Sequence, residues 1–223
     1  MPYYPIFLEL QGEKVLVVGG GTVALRKIDT LLGYGARVHV IAKELKPPLN
    51  AYVDEGKIKS IGQEFEEEAL KGFFLVIAAT SDRRLNSRIG KSAKEMGLLV
   101  NAVDQPADCN FIVPSVLRRG DLQVAVSTSG KSPVMARKVR KDMERVLGDE
   151  YGHLLALMGH IRKEVLSRGL SQEENRGIFY QIADSPILEA LASEDWKGAA
   201  HTLCGILNRE VSADEVKNYI KSE

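Results

Sequence analysis

The sequence predicts an α/β protein with a Rossmann-like, doubly wound parallel sheet, followed by a small α+β region and a helical C-terminal domain. Three observations support this fold class. An apolar run ending at Val18 turns through three glycines into a helical pattern, which is the order of a dinucleotide-binding βαβ unit. Strand and helix patterns alternate from residue 12 to 104, and only helical patterns occur from residue 151 onward.

The alternating region contains five predicted strands and three predicted helices. Its apolar runs are typical of strands covered on both faces, as in a parallel sheet. The predicted strands are the run ending at Val18, 36–42, a weaker strand around 58–61, 73–79 and 98–104. The predicted helices follow Gly21 to about Gly33, open at the acidic segment 64–68, and run from about Arg83 to Met96 after capping residues at 80–82.

The pattern changes after residue 104. Two strands between 111 and 127 are joined by a turn at 119–121, and a polar loop at 127–133 follows. Ser132 is a predicted cap for a helix from Pro133 to about Leu147. We therefore predict three domains: a dinucleotide-binding domain at 1–113, an α+β region at 114–150 and a helical domain at 151–223.

The composition is that of a globular protein, with 44% hydrophobic and 27% charged residues. Lysine plus arginine and aspartate plus glutamate balance at 30 each, which argues against a nucleic-acid partner and against attraction to an anionic membrane. No segment has the apolar length of a membrane span, and the N-terminal residues lack the order of a signal peptide. With neither a span nor a signal peptide in the sequence, we expect a cytoplasmic protein. Cys109 and Cys204 form no metal-ligand cluster, so we expect no bound metal.

The glycine turn is the first candidate site. In the G-x-G-x-x-G/A pattern, Gly19 permits the tight turn, Gly21 lets the backbone approach a diphosphate and Ala24 allows close helix packing. The N–H groups that open the helix would hold the diphosphate. A glycine turn can also precede any helix, but the readable strand before it and helix after it favour a dinucleotide site.

The end of the second predicted strand leaves the choice of dinucleotide open. An acidic residue about 20 positions after the motif usually binds the ribose 2′-hydroxyl of NAD. Here the strand ends in Lys43 and Glu44. Glu44 is slightly late for this role, and Lys43 could face either a 2′-phosphate or solvent.

Asp104 is the candidate catalytic residue. It ends a predicted strand where the ligand crevice of such a sheet lies, and Asn101 precedes it by three residues. A carboxylate there could accept a proton, or guide an incoming metal. An aspartate before Gln105-Pro106 could also simply form a turn. The predicted cofactor beside it favours the functional interpretation.

The segment from Ser127 to Arg137 combines hydroxyl groups, a helix N-terminus and positive charge, which suits a polyanionic ligand. Arg137 is the better candidate because its planar guanidinium matches carboxylates, whereas Lys138 and Lys141 fit a solvated helix face.

Five segments occur in order between about residues 3 and 150. They are Pro5–Phe7, Val17–Lys27, Ile77–Thr80, Asn101–Asp104 and Val126–Arg137. Together they resemble the precorrin-2 dehydrogenase family of sirohaem biosynthesis. The resemblance implies a Rossmann domain, a central dimerisation region that forms an intertwined homodimer, and a helical C-terminal domain. It also implies oxidation of precorrin-2, a tetrapyrrole, to sirohydrochlorin with NAD.

The resemblance assigns roles by position. Asp104 matches the catalytic aspartate of the family. The cofactor-binding residues implied are Gly19, Gly20, Gly21, Thr22, Val23, Lys43, Glu44 and Thr80. The substrate-binding residues implied are Asn101, Ser127, Thr128, Ser129, Gly130, Lys131 and Arg137. Thr128 departs from relatives that carry serine there, although it keeps the hydroxyl group.

Three further expectations remain. Some family members also insert Fe²⁺ into sirohydrochlorin as a ferrochelatase, and no local motif separates the two cases. A non-catalytic nucleotide-sensing module is a weaker alternative, since it would need neither Asp104 nor the 127–137 segment. Longer relatives continue into a uroporphyrinogen methyltransferase domain. The present sequence of 223 residues does not contain that domain, so we expect no methylation by this chain.

Overall fold

Five parallel strands form one sheet in the computed structural model, which describes residues 3–221. They are β1 (Lys14–Val18), β2 (Arg37–Ile41), β3 (Lys59–Gly62), β4 (Leu75–Ala78) and β5 (Leu99–Ala102). Their order is β3-β2-β1-β4-β5, so the direction of winding reverses between β1 and β4. All five predicted strands are present, and the predicted fold class is confirmed.

The helices on this sheet differ in part from the prediction. α1 (Thr22–Gly33) and α3 (Arg83–Glu95) lie where the patterns placed them. α2 (Pro47–Asp54) was not predicted; its proline pair occupies the first helical turn, where a missing N–H is tolerated. The acidic segment yields only a four-residue 3₁₀ helix, Glu67–Leu70, and a second 3₁₀ helix spans Pro106–Asp108.

Apolar side chains cover both faces of the sheet, which explains why β1 and β4 read as continuous apolar runs. On one face, Ala24 and Ile28 of α1 pack against Val15 and Val17. On the other face, Ile89 of α3 packs in a cluster with Leu16. This burial fixes the sheet and therefore the positions at which its strands end.

The chain divides into two units, Met1–Val113 and Pro114–Glu223. Residues 1–2 of the first unit and 222–223 of the second lie outside the described part. The second unit opens with the antiparallel hairpin β6 (Ser115–Arg119) and β7 (Leu122–Val126), as predicted. The helix α4 (Pro133–Glu144) follows, and the Ser132 hydroxyl accepts a hydrogen bond from Met135 N at 3.2 Å, as a helix cap.

Five further helices complete the second unit. They are α5 (Glu150–Ser167), α6 (Gln172–Ala183), α7 (Ile187–Ala192), α8 (Trp196–Leu207) and α9 (Ala213–Lys221). Their apolar faces share a core in which Leu157, Ile161 and Leu203 are fully buried. The predicted boundary at residue 150 lies inside this unit, where α5 begins, and a separate domain at 114–150 stays a prediction. None of the helices between residues 3 and 221 is long and apolar enough to cross a bilayer.

A half-buried ion network joins α5 to the segment between α8 and α9. Glu164 accepts hydrogen bonds from Arg168 at 2.5 Å and from Arg209 at 2.6 Å. Arg209 also bonds Glu215 at 2.7 Å, and the Tyr219 hydroxyl donates to the same carboxylate. These hydrogen bonds from Arg209 hold the pKa of Glu164 and of Glu215 below the ordinary value of 4.5.

We predict that Glu164→Gln lowers the free energy of unfolding of the protein by about 2 kcal/mol at pH 7, because two arginines lose a charged acceptor. A carboxyl group with a lowered pKa stabilises the fold above its ordinary pKa and loses that effect as the pH falls. The wild type should therefore lose stability from about pH 5 downward, and the variant should lose less. Urea unfolding across this pH range measures both effects. Asp214→Asn, which removes an exposed carboxylate 3.8 Å from Lys217, is the control and should change little. Equal effects of the two variants would contradict the prediction.

Candidate dinucleotide-binding site

A cleft of about 640 Å³ lies at the carboxyl ends of β1, β2 and β4. It therefore occupies the point where the strand order reverses, which is the usual ligand position in an open parallel sheet. Of the sequence-predicted cofactor residues, Gly19, Gly20, Gly21, Lys43, Glu44 and Thr80 line it. Thr22 and Val23 come next, as the first two residues of α1.

The first two glycines are required by close backbone packing. Gly19 has φ +126°, and a Cβ atom there would overlap the Ala79 carbonyl group. A Cβ atom on Gly20 would overlap the carbonyl group of Glu44. Hydrogen bonds fix the same turn, from Gly19 N to Ile41 O at 2.8 Å and from Lys46 N to Gly20 O at 3.0 Å. The conformation of the turn is thus fixed by hydrogen bonds and close contacts within the protein.

Gly21 differs from its two neighbours. A Cβ atom there would meet nothing within 4 Å, and its φ of −87° suits any residue. It is the N-cap of α1, and within residues 3–221 no side chain caps that helix. The first N–H groups of α1 are therefore available to a ligand at the positive end of the helix dipole. Open space at Gly21 and an uncapped helix fit a diphosphate.

Lys43 and Glu44 both lie on the rim of the cleft and are exposed. The Lys43 ammonium group is 3.1 Å from the Glu64 carboxylate, and both side chains are more than 70% exposed. Such a pair contributes little to stability and can rearrange easily. The Glu44 side chain is exposed, while its backbone carbonyl group lies against Gly20.

Thr80 follows β4 and is held by a residue that the sequence analysis missed. Asn86, on α3, is 2% exposed, and its side chain bonds three groups of Thr80. The sequence signal was a polar residue at a helical position that the pattern places against the sheet, next to Leu85 and Ile89. The cleft also contains Arg88 and Glu64, which the sequence analysis did not assign.

Asp104 is exposed in the turn after β5, with φ +58°. This left-handed conformation is uncommon for a residue with a side chain, although aspartate tolerates it better than most. The residues that line the cleft do not include Asp104 or Asn101. β5 pairs with β4, so this turn and the Thr80 loop follow neighbouring strands at the same edge of the sheet.

Cys109 ties the Asp104 turn together. Its Sγ accepts a hydrogen bond from Ala102 N at 3.2 Å and lies 3.3 Å from the carbonyl oxygens of Ala102 and Gln105. Burial raises the pKa of this thiol, which therefore acts as a neutral structural group. Asn101 Nδ2 donates to Phe111 O at 3.2 Å and to Cys109 Sγ at 3.6 Å, so this amide nitrogen is engaged within the protein.

The predicted substrate segment 127–137 is a loop followed by the first turn of α4. The Thr128 hydroxyl donates to Ser132 O at 3.0 Å and accepts from Ser132 N at 3.1 Å, so it shapes the loop. Ser129 has φ +51°, and its N–H donates to the Ser127 hydroxyl at 3.0 Å. Exposed residues complete the segment: Ser127, Ser129, Gly130, Lys131 and Arg137.

A second cavity of about 580 Å³ lies among the helices of the second unit. Acidic, basic and apolar side chains line it together, including Asp149, His153, Trp196 and Lys217. The residues around it include none of the predicted site residues.

Two family models match consecutive parts of the chain. The first, described as "Putative NAD(P)-binding", matches residues 6–115, and the second, described as "Sirohaem biosynthesis protein central", matches residues 119–145. The chain is 38% identical over 205 residues to Siroheme synthase 2 of Aeromonas hydrophila subsp. hydrophila, covering 91% of this chain and 43% of the relative. It is 43% identical over 176 residues to the siroheme synthase of Neisseria meningitidis serogroup C, covering 79% and 37%.

A solved structure titled "SirC, precorrin-2 dehydrogenase" matches with a TM-score of 0.76 and 26% identity, covering 92% of this chain and all of that one. Along most of its length the chain is similar to siroheme synthases and to a precorrin-2 dehydrogenase. The chain spans less than half the length of the two siroheme synthases that it matches. The NAD(P)-binding match confirms the dinucleotide fold predicted from the glycine turn.

We predict that Gly21→Ala leaves the fold intact but weakens NADH binding about tenfold, because the new methyl group occupies space that the diphosphate needs. Gly20→Ala is the comparison variant, and it should lower the melting temperature as well, since its methyl group overlaps the Glu44 carbonyl group. Fluorescence titration with NADH and thermal unfolding separate the two effects. Unchanged NADH affinity in Gly21→Ala would place the diphosphate elsewhere.

Proposed function

We propose that the protein oxidises precorrin-2 to sirohydrochlorin with NAD as the hydride acceptor. The observation that carries this proposal is the fold match along nearly the whole chain to a precorrin-2 dehydrogenase. The cleft supports it, because an uncapped helix N-terminus meets the glycine turn at the reversal point of the sheet.

The residues of the chain divide the work of the reaction. The turn at Gly19–Gly21 and the N-terminus of α1 bind the diphosphate, and Thr80 contacts the dinucleotide from the end of β4. Bound NAD would supply the hydride acceptor for the C–H bond of the macrocycle that breaks, and the chain must provide for the proton that leaves the substrate as well. Asp104 takes that proton, since its exposed carboxylate projects from a turn fixed by Cys109.

The substrate carries eight carboxylate groups, and the segment 127–137 offers groups that match them. Lys131 and Arg137 are exposed cations, and the hydroxyl groups of Ser127 and Ser129 lie in the same loop. Guanidinium and hydroxyl donors bind carboxylates well. This match favours a polyanionic tetrapyrrole over a small neutral substrate.

We further propose that the protein is a homodimer assembled through the hairpin and α4. The hairpin has two strands, and within the described residues neither pairs with a third. Such a sheet is marginal without additional packing. Apolar side chains of the same region are exposed, among them Val134, Val139 and Val146. A second copy could cover them.

Several finer expectations stay predictions. Fe²⁺ insertion by the same protein, use of NAD in preference to NADP, a cytoplasmic location and the absence of a nucleic-acid partner are of this kind. A non-catalytic nucleotide sensor is the competing function. A sensor would not need Asp104, whose backbone is held at φ +58° in the turn after β5, at the same edge of the sheet as the Thr80 loop.

We predict that Asp104→Asn lowers the rate of precorrin-2 oxidation at least about 100-fold, because the amide cannot accept the proton. Asparagine tolerates the same φ, so the melting temperature and the NADH affinity should stay near wild type. The assay follows NADH formation and the absorption spectrum of sirohydrochlorin from enzymatically made precorrin-2.

Asp108→Asn is the matched control for this experiment, because it removes a carboxylate from the neighbouring 3₁₀ helix. It should oxidise precorrin-2 at nearly the wild-type rate. Wild-type turnover by Asp104→Asn would remove the aspartate from the mechanism. Adding Fe²⁺ after the oxidation, with a protein-free control, measures ferrochelatase activity in the same sample.

We predict that the protein elutes with about twice its chain mass of 24.6 kDa and that Val139→Asp shifts it toward one chain. A charge on an apolar contact surface costs desolvation, whereas Lys141→Gln on the same helix should leave the mass unchanged. Light scattering after gel filtration gives the masses. A wild-type protein of single-chain mass would refute the dimer.

A further inference from the structure

Asn86 occupies an unusual place for an amide side chain. Between residues 3 and 221 it is the one buried residue with a polar side chain, and it lies on α3 near the apolar side chains of Leu85 and Ile89. Burying an amide is unfavourable unless its hydrogen bonds are satisfied. All of its side-chain hydrogen bonds go to Thr80, which lines the dinucleotide cleft.

The backbone fixes the orientation of the Asn86 amide. Thr80 N donates to Asn86 Oδ1 at 3.1 Å, and Asn86 Nδ2 donates to Thr80 O at 3.1 Å. A flipped amide would set two donors against each other and two acceptors against each other. The side-chain oxygen must therefore face the Thr80 N–H and the Thr80 hydroxyl group.

This orientation decides what the Thr80 hydroxyl can offer a ligand. Two acceptors lie within reach of its single proton, Asn86 Oδ1 at 2.7 Å and Asp82 O at 3.1 Å, and the proton goes to the nearer one, Asn86 Oδ1. Oγ1 also accepts a hydrogen bond from Asp82 N at 3.1 Å. One lone pair remains, so toward the cleft Thr80 is a hydrogen-bond acceptor.

We propose that Asn86 is a positioning residue that makes Thr80 an acceptor for a donor group on the nicotinamide riboside half of the dinucleotide. Diphosphate oxygens are acceptors and cannot use such a group. The end of β2 is the usual place for the adenosine ribose, and β4 lies on the opposite side of β1. The donors on the β4 side are the ribose hydroxyl groups and the carboxamide N–H. This inference rests on the proposed use of NAD at this cleft.

The first test is a titration of wild type, Thr80→Val, Thr80→Ser and Asn86→Leu with NADH. Thr80→Val and Asn86→Leu should each raise the Kd about tenfold, the loss of one hydrogen bond, and Thr80→Ser should bind like wild type. The double variant should bind no worse than the weaker single variant, because both changes remove the same interaction.

A control separates positioning from loss of stability. Ile89→Val removes one methylene from the same face of α3 and should lower the melting temperature without changing the NADH affinity. Should Asn86→Leu fail to fold, the Thr80 variants carry the test alone. Equal NADH affinity in wild type and Thr80→Val would overturn the inference.

Partial ligands locate the contact. A ribose contact predicts that Thr80→Val weakens NADH and ADP-ribose but leaves ADP unaffected. A carboxamide contact predicts that it weakens NADH and leaves both ADP-ribose and the 3-acetylpyridine analogue unaffected. An equal loss for ADP would mean a diphosphate or adenosine contact and would overturn the inference. A wild-type protein that binds no NADH would instead refute the proposed function.

Discussion

The close contact between the glycine turn and the backbone at two neighbouring strand ends is the constraint on which the rest of the first unit depends. Gly19 lies against the Ala79 carbonyl group and Gly20 against that of Glu44, with no room for a side chain. These contacts bring the loops after β1, β2 and β4 into a single rim. Both contacts are made chiefly to backbone carbonyl groups, so they depend on the course of the backbone more than on the side chains around it. The N-terminus of α1 then opens directly onto the cleft, so the positive end of the helix dipole faces the cleft.

The sequence was informative where one residue type alone satisfies a physical demand. Three glycines between a strand and a helix, apolar runs without alternation, and Ser132 before Pro133 each have few structural solutions, and each prediction was correct. The helix α2 was not predicted because its eight residues, Pro47–Asp54, begin with two prolines and show no strong apolar periodicity. The acidic segment before Leu70 was overestimated, since local charge at a helix start does not supply the packing needed for several turns.

The candidate site was less predictable, because its residues act through hydrogen-bond partners that no sequence motif identifies. Nothing near Thr80 in the sequence indicates that a buried amide six residues later fixes its proton. Likewise Cys109 looks like an ordinary thiol, yet its contacts with Ala102 and Gln105 shape the turn that presents Asp104. Such roles depend on register between strands and helices, which follows from the whole fold and not from a motif.

The two turns at neighbouring strand ends, those of Thr80 and Asp104, are thus each held by a side chain from elsewhere in the first unit. The buried Asn86 side chain forms hydrogen bonds with the Thr80 loop. The half-buried Cys109 side chain forms hydrogen bonds with the backbone of the Asp104 turn. Both supporting groups are neutral and half or fully buried, so neither responds to pH near neutrality. The proposed hydride transfer would require the ring of the cofactor and the substrate carbon to be held in line, and two fixed turns at neighbouring strand ends suit that requirement. Rigid support behind a loop limits motion along that line, whereas the exposed Lys43–Glu64 pair at the rim can rearrange. We expect any discrimination between NAD and NADP to depend on this adaptable rim at Lys43 and Glu44, because the end of the second strand is where the adenosine ribose usually binds.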